Sequence, residues 1–296
     1  MKTLLLLAAC TAFAYSHPNT HRLTLADTGK KIDSVIARVH GTFGVAFRDL
    51  QTGKTFCRNA NEVFHAASTI KTPVMIEVFN QAHSRKFSLD DSLEIVNRFS
   101  SLVDGSTYTL NSASDSDDSL YREIGRKEPI RKLVFDMITV SSNLAANLLI
   151  QFVGPKNIRH TMAHLGAADI RVLRGVEDTK AYESGRNNTV TAGSLMAMFE
   201  QLAKKKVVSR EESKKMLDIL LQQRFNDMIP GRLPSSVKVA HKTGSSAGIQ
   251  HDSGIVYLPD GRKYVVVVLS KDLYDARAGI DAIAQISRII FDYEVH

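Results

Sequence analysis

Residues 66–74 read Ala-Ala-Ser-Thr-Ile-Lys-Thr-Pro-Val and lie where strand-like sequence gives way to a long helical region. Ser68 and Lys71 stand three positions apart, so a helix through this stretch places a hydroxyl and an amine on one face. The proline two positions after the lysine is tolerated in the first turn of a helix. We therefore expect Ser68 at a helix N-terminus, where free N–H groups stabilise a developing oxyanion. The same spacing recurs at Ser235 and Lys238, so the pair alone is a weak signature of catalysis.

Strand-like and helical patterns on both sides of this stretch indicate how the chain is organised. A helical pattern and a two-stranded hairpin precede it, and a helix, three strand-like runs and a closing helix follow the helical region. These segments are 27–39, 42–49, 54–57, 211–223, 237–241, 253–258, 264–270 and 276–293. The sequence predicts an α/β fold class, an α+β sandwich whose antiparallel sheet is built from both chain ends and flanked by helices. The expected domains are a sandwich of residues 17–67 and 207–296 and an inserted all-helical domain of residues 68–206.

The first 16 residues are typical of a secretory signal peptide. Lys2 precedes the apolar run Leu4–Ala9, small residues follow, and the apolar segment is too short to span a bilayer. We therefore expect an exported protein, periplasmic or secreted, without a membrane span. Cys10 suggests lipid anchoring as an alternative, which its early position disfavours. After cleavage Cys57 would remain as a single cysteine, predicted to be a buried strand residue without a disulfide.

Charge and composition argue against several function classes. The chain has 38 Lys and Arg against 31 Asp and Glu, a formal net charge of +7, without a long basic run, so nucleic acid binding is not implied. His160 and His164 are four positions apart but lack a third ligand. The run of Asp115, Asp117 and Asp118 lacks the glycine and terminal glutamate of a calcium loop, and we interpret it as a solvated loop. We assign no metal and no cofactor.

Two further motifs occur in a recognisable order. Ser141-Ser142-Asn143 lies at a junction between apolar helical segments, and Lys242-Thr243-Gly244 ends a predicted strand. With Ser68 and Lys71, these motifs resemble those of the class A beta-lactamases and penicillin-binding proteins, a family of serine acyl-transferases. The resemblance extends from the first hairpin to the last helix and implies a beta-lactamase-like fold.

The resemblance implies a role for each residue of the first two motifs. Ser68 would attack an amide carbonyl and form an acyl-enzyme, while Lys71, whose pKa the neighbouring Lys242 would lower, would accept the serine proton. Ser141 would relay a proton to the leaving nitrogen, and Asn143 would hold the substrate's side-chain amide. We expect these serines and lysines to converge in one cleft between the helical domain and the strand.

The third motif would bind the rest of the substrate. The resemblance implies that Lys242, Thr243 and Ser245 offer a cation and hydroxyls to a substrate carboxylate, with Gly244 in the same substrate-binding segment. The backbone N–H groups of Ser68 and Ser245 would form the oxyanion hole.

The base that hydrolyses the acyl-enzyme is a loop glutamate in class A enzymes, and this chain has two candidates. Glu177 lies 36 positions after Ser141, close to the family's interval. Glu183 lies four positions before Asn187 and imitates the family's Glu-x-x-Leu-Asn string, except that Arg186 replaces the leucine. We favour Glu177, because an acid deep in a loop can be aimed at a water molecule.

The chain also departs from the family pattern. Ser142 replaces the usual aspartate, Ala181 stands where a water-holding asparagine would follow Glu177, and residues 251–253 occur where an arginine is often found. These departures weaken the expectation of efficient lactam hydrolysis more than that of an acyl-enzyme. Asn147 we interpret as a helix-core residue only.

Three functions remain open at this point. The first is a serine hydrolase of the beta-lactamase type, acting on a small beta-lactam or a related amide. The second is a penicillin-binding or D-Ala-D-Ala peptidase-like acyl-transferase, which need not hydrolyse its lactam adduct. The third is a non-catalytic envelope-binding module that keeps the fold. We assume a monomer, since the sequence contains no signal for the oligomeric state.

Overall fold

A computed structural model describes residues 23–296 of the chain. The predicted signal peptide and Cys10 lie outside the described residues. In chain order, the strands are β1 (Thr42–Asp49), β2 (Thr55–Arg58), β3 (Phe64–His65), β4 (Ser92–Glu94), β5 (Phe99–Ser100), β6 (Thr107–Tyr108), β7 (Lys127–Pro129), β8 (Thr189–Val190), β9 (Lys238–Ser246), β10 (Ile249–Tyr257) and β11 (Lys263–Lys271). The helices are α1 (Leu25–Ile36), α2 (Lys71–His83), α3 (Ile130–Thr139), α4 (Asn143–Val153), α5 (Pro155–His164), α6 (Thr179–Glu183), α7 (Ala192–Ala203), α8 (Arg210–Leu220) and α9 (Ala276–Val295).

A five-stranded antiparallel sheet in the order β2-β1-β11-β10-β9 organises the fold. Its central strand, β11, is rich in valines, whose β-branched side chains favour the extended conformation. Alternate residues of β11 point to opposite faces. Val266 and Val268 belong to one core cluster, Val265 and Val267 belong to the other, and all four are fully buried. The sheet therefore needs helices on both of its faces.

Different helices cover the two faces of the sheet. Helices α1 and α9 pack against each other and contribute to the core cluster that contains Val266 and Val268. On the other face, α7 contacts β1, β10 and β11, and its Leu195 and Phe199 share a core cluster with Val265. The predicted domain boundaries stay a prediction, but α7, which they assign to the helical domain, packs on the sheet.

Helix α2 is the buried centre of the helical region. It packs against α3, α4 and α5, and Val74, Met75 and Val78 have no exposed surface. Because apolar residues occupy all sides of this helix rather than one stripe, neighbouring helices surround it. At its N-terminal end, the turn Ala67–Ile70 contacts β9 and β10. The sheet and the helical region therefore meet at the serine-lysine motif.

The predicted fold class is confirmed, since residues 42–58 and 238–271 form the sheet and helices cover both faces. Two local predictions are wrong. Strand β9 does not end with the Lys-Thr-Gly motif but continues to Ser246. Cys57 is exposed, because β2 is a four-residue edge strand whose second half is uncovered. Within residues 23–296, no helix is both long and apolar enough to cross a membrane.

Candidate active site

Ser68 lies where two cavities meet, at the border between the sheet and the helical region. The larger cavity has a volume of about 580 Å³, and Asn143 and Glu177 are among its lining residues. The smaller cavity, of about 240 Å³, has Ser141 in its lining. Ser68 and Ser245 line both cavities. Residues from all three sequence motifs and from the glutamate loop are thus gathered around one serine.

A 3₁₀ turn, Ala67–Ile70, carries Ser68 immediately before α2. Ala67 has φ +44°, in the left-handed region that alanine rarely adopts. Its N–H donates a hydrogen bond to His65 Nδ1 at 3.1 Å. Thr69 Oγ1 donates to Ala66 O at 2.6 Å and closes the same turn. These contacts hold a strained backbone, and the strained turn determines where Ser68 projects.

Gly244 allows β9 to approach this turn closely. A Cβ atom at this position would lie 3.1 Å from Ser68 N and 3.2 Å from Thr69 Cγ2, closer than ordinary van der Waals contact. A larger residue would therefore push the strand and the turn apart. The missing side chain brings the backbone of Gly244 and Ser245 next to Ser68, which an oxyanion hole built from the Ser68 and Ser245 N–H groups requires.

The Lys71 ammonium is fully buried and makes three hydrogen bonds. Its Nζ donates to Ser141 O at 2.5 Å, to Asn143 Oδ1 at 2.7 Å and to Ser141 Oγ at 3.1 Å. Among the described residues, none of its hydrogen bonds joins it to the Ser68 hydroxyl. Hydrogen bonds of catalytic groups often form only when the substrate is bound, so this arrangement leaves the proposed proton path open.

Burial is the main cause of the lowered pKa of Lys71. Transfer of the ammonium out of water lowers this pKa to about 7, although the charges of Asp115 and Glu177 partly raise it. The expected direction is confirmed, and burial is a larger cause than the repulsion between the two lysines, which acts in the same direction. For Lys242, burial and the nearby Lys71 both lower the pKa well below its usual value. A neutral amine is therefore accessible to Lys71 near pH 7.

Ser141 lies between the two buried lysines. Its Oγ accepts a hydrogen bond from Lys71 Nζ at 3.1 Å and another from Lys242 Nζ at 3.0 Å. A hydroxyl has two acceptor sites and one proton, so these bonds leave the Ser141 proton for a third partner. Ser141 has φ +59°, a left-handed conformation at the junction of α3 and α4. Ser141 therefore joins the two lysines and shares the smaller cavity with Ser68, while the convergence of all four residues in one cleft stays a prediction.

The structure places the two candidate glutamates differently. Glu177 lines the larger cavity, and its Oε1 accepts a hydrogen bond from Asn143 Nδ2 at 2.9 Å. Asn143 thus links Glu177 to Lys71 through the two ends of one amide, in addition to lining the cavity. Glu183 is exposed, is the last residue of α6, and is not among the residues that line the cavity. The geometry therefore favours Glu177 as the base.

The loop that carries Glu177 is held by Asn147 and Asp178. Asn147 Nδ2 donates to Val176 O at 3.0 Å, and its Oδ1 accepts from Val176 N at 2.6 Å. The Asp178 carboxylate accepts bonds from a hydroxyl and an N–H in the β5–β6 hairpin, both at 2.8 Å. The interpretation of Asn147 as a core residue only is therefore wrong. Its position four residues after Asn143, on the same face of α4, was the available signal.

The side of the site that is expected to bind a carboxylate is lined by hydroxyl groups, and no arginine is among its described lining residues. Thr243 and Ser245 line the smaller cavity, and Ser245 Oγ donates to Gln250 Oε1 at 2.8 Å. No arginine is among the described residues that line this cavity, whereas the carboxylate-bearing Asp227 is. Residues 251–253, where an arginine is often found in the family, are fully buried. Lys242 is fully buried and reaches this side of the site through the hydrogen bond that it donates to Ser141 Oγ.

The assembled groups can support nucleophilic acyl transfer. A serine, a buried amine with a lowered pKa, a hydroxyl between two lysines and a loop carboxylate are the components that such chemistry needs. Within residues 23–296, no group of three or more His, Cys, Asp or Glu side chains is arranged to hold a metal ion.

Comparisons with known proteins agree with this site. The chain is 26% identical over 290 residues to a beta-lactamase from Bacteroides uniformis, covering 90% of this chain and 91% of that protein. It is also 26% identical over 281 residues to the extended-spectrum beta-lactamase PER-1 of Pseudomonas aeruginosa, covering 90% and 87% of the two chains. The crystal structure of a beta-lactamase from Sphaerobacter thermophilus matches with a TM-score of 0.77 and 26% identity, covering 93% of this chain and 99% of that one. The sequence model of the beta-lactamase enzyme family matches residues 27–294, and this chain is therefore a member of that family.

Proposed function

We propose that this protein is a serine hydrolase that opens the amide bond of a beta-lactam ring through an acyl-enzyme on Ser68. The chief support is the hydrogen-bonded series Lys242, Ser141, Lys71 and Asn143 beside that serine. Family membership supports a beta-lactam as the substrate class. No cofactor takes part in the proposed reaction.

Acylation uses Lys71 and Ser141 in sequence. The Ser68 oxygen attacks the lactam carbonyl carbon while neutral Lys71 accepts the serine proton, and the N–H groups of Ser68 and Ser245 stabilise the oxyanion. The ring C–N bond then breaks. Ser141 gives its proton to the leaving nitrogen, and the Lys71 ammonium returns a proton to Ser141. The products are an ester on Ser68, a secondary amine and neutral Lys71.

Deacylation uses Glu177. Its carboxylate takes a proton from a water molecule whose oxygen attacks the ester carbonyl carbon, and the bond between that carbon and the Ser68 oxygen breaks. Ser68 regains a proton as Glu177 loses the one it accepted. The hydrogen bond that Asn143 donates to Glu177 keeps the carboxylate oriented toward the cavity.

The proposal is tested by mass spectrometry of the intact protein after addition of one penicillin, together with turnover of a chromogenic cephalosporin. We expect an adduct on Ser68 that forms and disappears, with turnover, and neither in Ser68→Ala. A long-lived adduct without turnover would replace the proposal by the penicillin-binding alternative. Absence of both adduct and turnover would favour the non-catalytic module.

We also propose that the enzyme is exported. The support is the signal-peptide pattern of residues 1–16. N-terminal sequencing of the protein recovered outside the cytoplasm should find the mature chain starting at residue 15 or 17. An uncleaved chain in the cytoplasm would contradict export.

A further inference from the structure

Asp115 is only partly exposed, and its carboxylate is hydrogen-bonded to other parts of the protein, in contrast to what its aspartate-rich loop predicts. Its carboxylate reaches the start of α4, where Asn143 N lies 2.9 Å from both carboxylate oxygens. Leu144 N donates to Oδ2 at 3.1 Å, and the Tyr121 hydroxyl donates to the same oxygen at 2.9 Å. Asp115 therefore caps a helix whose first residue follows 28 positions later.

Ser142, the local N-cap of α4, satisfies only part of this helix end. Its Oγ accepts one hydrogen bond, from Ala145 N at 3.4 Å. The first N–H groups of a helix have no partners within the helix, and a carboxylate there also complements the positive end of the helix dipole. The resemblance to class A enzymes leads us to expect an aspartate at position 142. In this chain, Asp115 brings a carboxylate to the same helix end from a separate loop.

The helix end that Asp115 holds belongs to the active site. The Asn143 side chain accepts a hydrogen bond from Lys71 at 2.7 Å and donates one to Glu177 at 2.9 Å. The charge of Asp115 also acts on Lys71, because a nearby carboxylate favours the protonated amine. Glu177 acts in the same direction, whereas the neighbouring Lys242 opposes it.

We propose that Asp115 is a positioning residue for the reaction, supplying across the chain the carboxylate that the motif lacks at Ser142. It holds the start of α4 so that Asn143 lies between Lys71 and Glu177, and its charge favours the protonated form of the buried lysine. The effect on rate rests on the proposed serine hydrolysis, whereas the capping contact does not.

Replacement of Asp115 by asparagine should reduce activity and move its pH dependence. The variant keeps the shape of the side chain but loses its charge and one of its two acceptor oxygens. We expect kcat/KM near neutral pH to fall by about tenfold or more, since a displaced catalytic group has that order of effect. Loss of the negative charge lowers the pKa of Lys71 below about 7. The acid limb of the pH profile, which is the range where the acylation rate rises with pH, should therefore move to lower pH.

Asp117→Asn is the matched control. Asp117 lies two positions away in the same loop, and its carboxylate accepts hydrogen bonds from Ser119 of that loop. This variant removes the same charge from the same segment without touching α4. We expect its kcat/KM and pH profile to match those of the unmodified protein.

A second substitution tests whether the two positions supply the same carboxylate. Aspartate is as good an N-cap as serine, so Ser142→Asp in the Asp115→Asn background should return a carboxylate to the start of α4. We expect the double variant to recover most of the lost kcat/KM and to move the acid limb back toward higher pH. Failure to recover either would overturn the proposed equivalence.

Amide hydrogen exchange provides a readout that is independent of activity. The Asn143 and Leu144 amides should exchange at least about tenfold faster in Asp115→Asn than in Asp117→Asn, because loss of a hydrogen bond exposes an amide to solvent. Equal exchange together with equal pH profiles would overturn the proposal. Faster amide exchange with an unchanged pH profile of acylation would show that Asp115 only caps α4. That result would overturn its proposed action on Lys71. If the unmodified protein forms no adduct with penicillin, the proposed function fails while the exchange result still decides the capping role.

Discussion

Replacement of Glu177 by glutamine should separate acylation from deacylation. Glutamine keeps the length of the side chain, and its Oε1 can still accept the hydrogen bond that Asn143 Nδ2 donates at 2.9 Å. The loop should therefore keep its geometry and lose only the carboxylate that takes a proton from water. General-base catalysis contributes about 10²- to 10⁴-fold, so deacylation should slow by about a hundredfold or more.

Acylation should continue in this variant because Lys71 supplies its base. The charge of Glu177 raises the pKa of Lys71, so its removal lowers that pKa below about 7. More of the amine is then neutral at a given pH, and the acid limb of acylation should move to lower pH. The acyl-enzyme should therefore form at a comparable rate and accumulate.

The assay is rapid mixing with one penicillin followed by mass spectrometry of the intact protein over time. Glu183→Gln is the matched control, since it makes the same chemical change at an exposed residue outside the cavity lining. We expect the adduct to persist in Glu177→Gln and to turn over normally in Glu183→Gln.

Two results would refute this reasoning. If Glu183→Gln traps the adduct and Glu177→Gln does not, the base is Glu183. The segment that carries Glu183 would then have to move from its position in this structure to reach the cavity. If neither substitution slows turnover, the loop-carboxylate mechanism fails. Lys71 would then be the group that activates the hydrolytic water.

Three further predictions concern other parts of the site. The acylation rate should rise as the pH rises through about 7, because neutral Lys71 accepts the proton and burial lowers its pKa to about 7; a profile without an acid limb near that pH would contradict this. Asn147→Ala leaves Val176 N without its partner and leaves Val176 O with only the Tyr108 hydroxyl, at 3.3 Å, so the free energy of unfolding should fall by about 1–3 kcal/mol. Denaturant titration measures that change, and mass spectrometry should show that deacylation slows more than acylation. Unaltered stability would show that the loop does not need the Asn147 hydrogen bonds. Asp227→Asn removes an exposed like charge from the carboxylate side of the site, so KM for penicillins should fall about two- to threefold at low salt; steady-state kinetics at two salt concentrations check this, and an unchanged KM at both would contradict it.

Sequence reasoning selected Ser68 as the candidate nucleophile because its pattern is local. Ser68 and Lys71 are one turn apart, and any helix through them brings the two side chains to one face. The valines of β11 likewise predict a buried strand from their own β-branched chemistry. The order of the three motifs then identified the family and, through it, Ser141 and Lys242. None of these inferences needs a distance between remote segments.

The tertiary structure was needed wherever a role depends on packing between remote segments. Glu177 and Glu183 are six positions apart in a segment whose sequence shows no clear periodicity, and only the folded path of the chain brings the first into the cavity lining. Asp115 looks like part of a solvated acidic run until its carboxylate is seen at the start of α4. Asn147 likewise looks like an ordinary core residue of α4 until its hydrogen bonds to the backbone of Val176, 29 positions away, are seen.

The sequence by itself determined the fold class and the family and proposed the nucleophile, since these follow from short-range periodicity and from motifs with fixed spacing. The tertiary structure alone decided which carboxylate charges act on Lys71, and that burial is the main cause of its lowered pKa. The physical reason is that desolvation and hydrogen bonding depend on which atoms surround a group in space. The contact of Asp115 with Asn143, 28 positions apart, arises only when the helical region folds, and the contact of Ser141 with Lys242, 101 positions apart, arises only when the sheet and the helical region pack together.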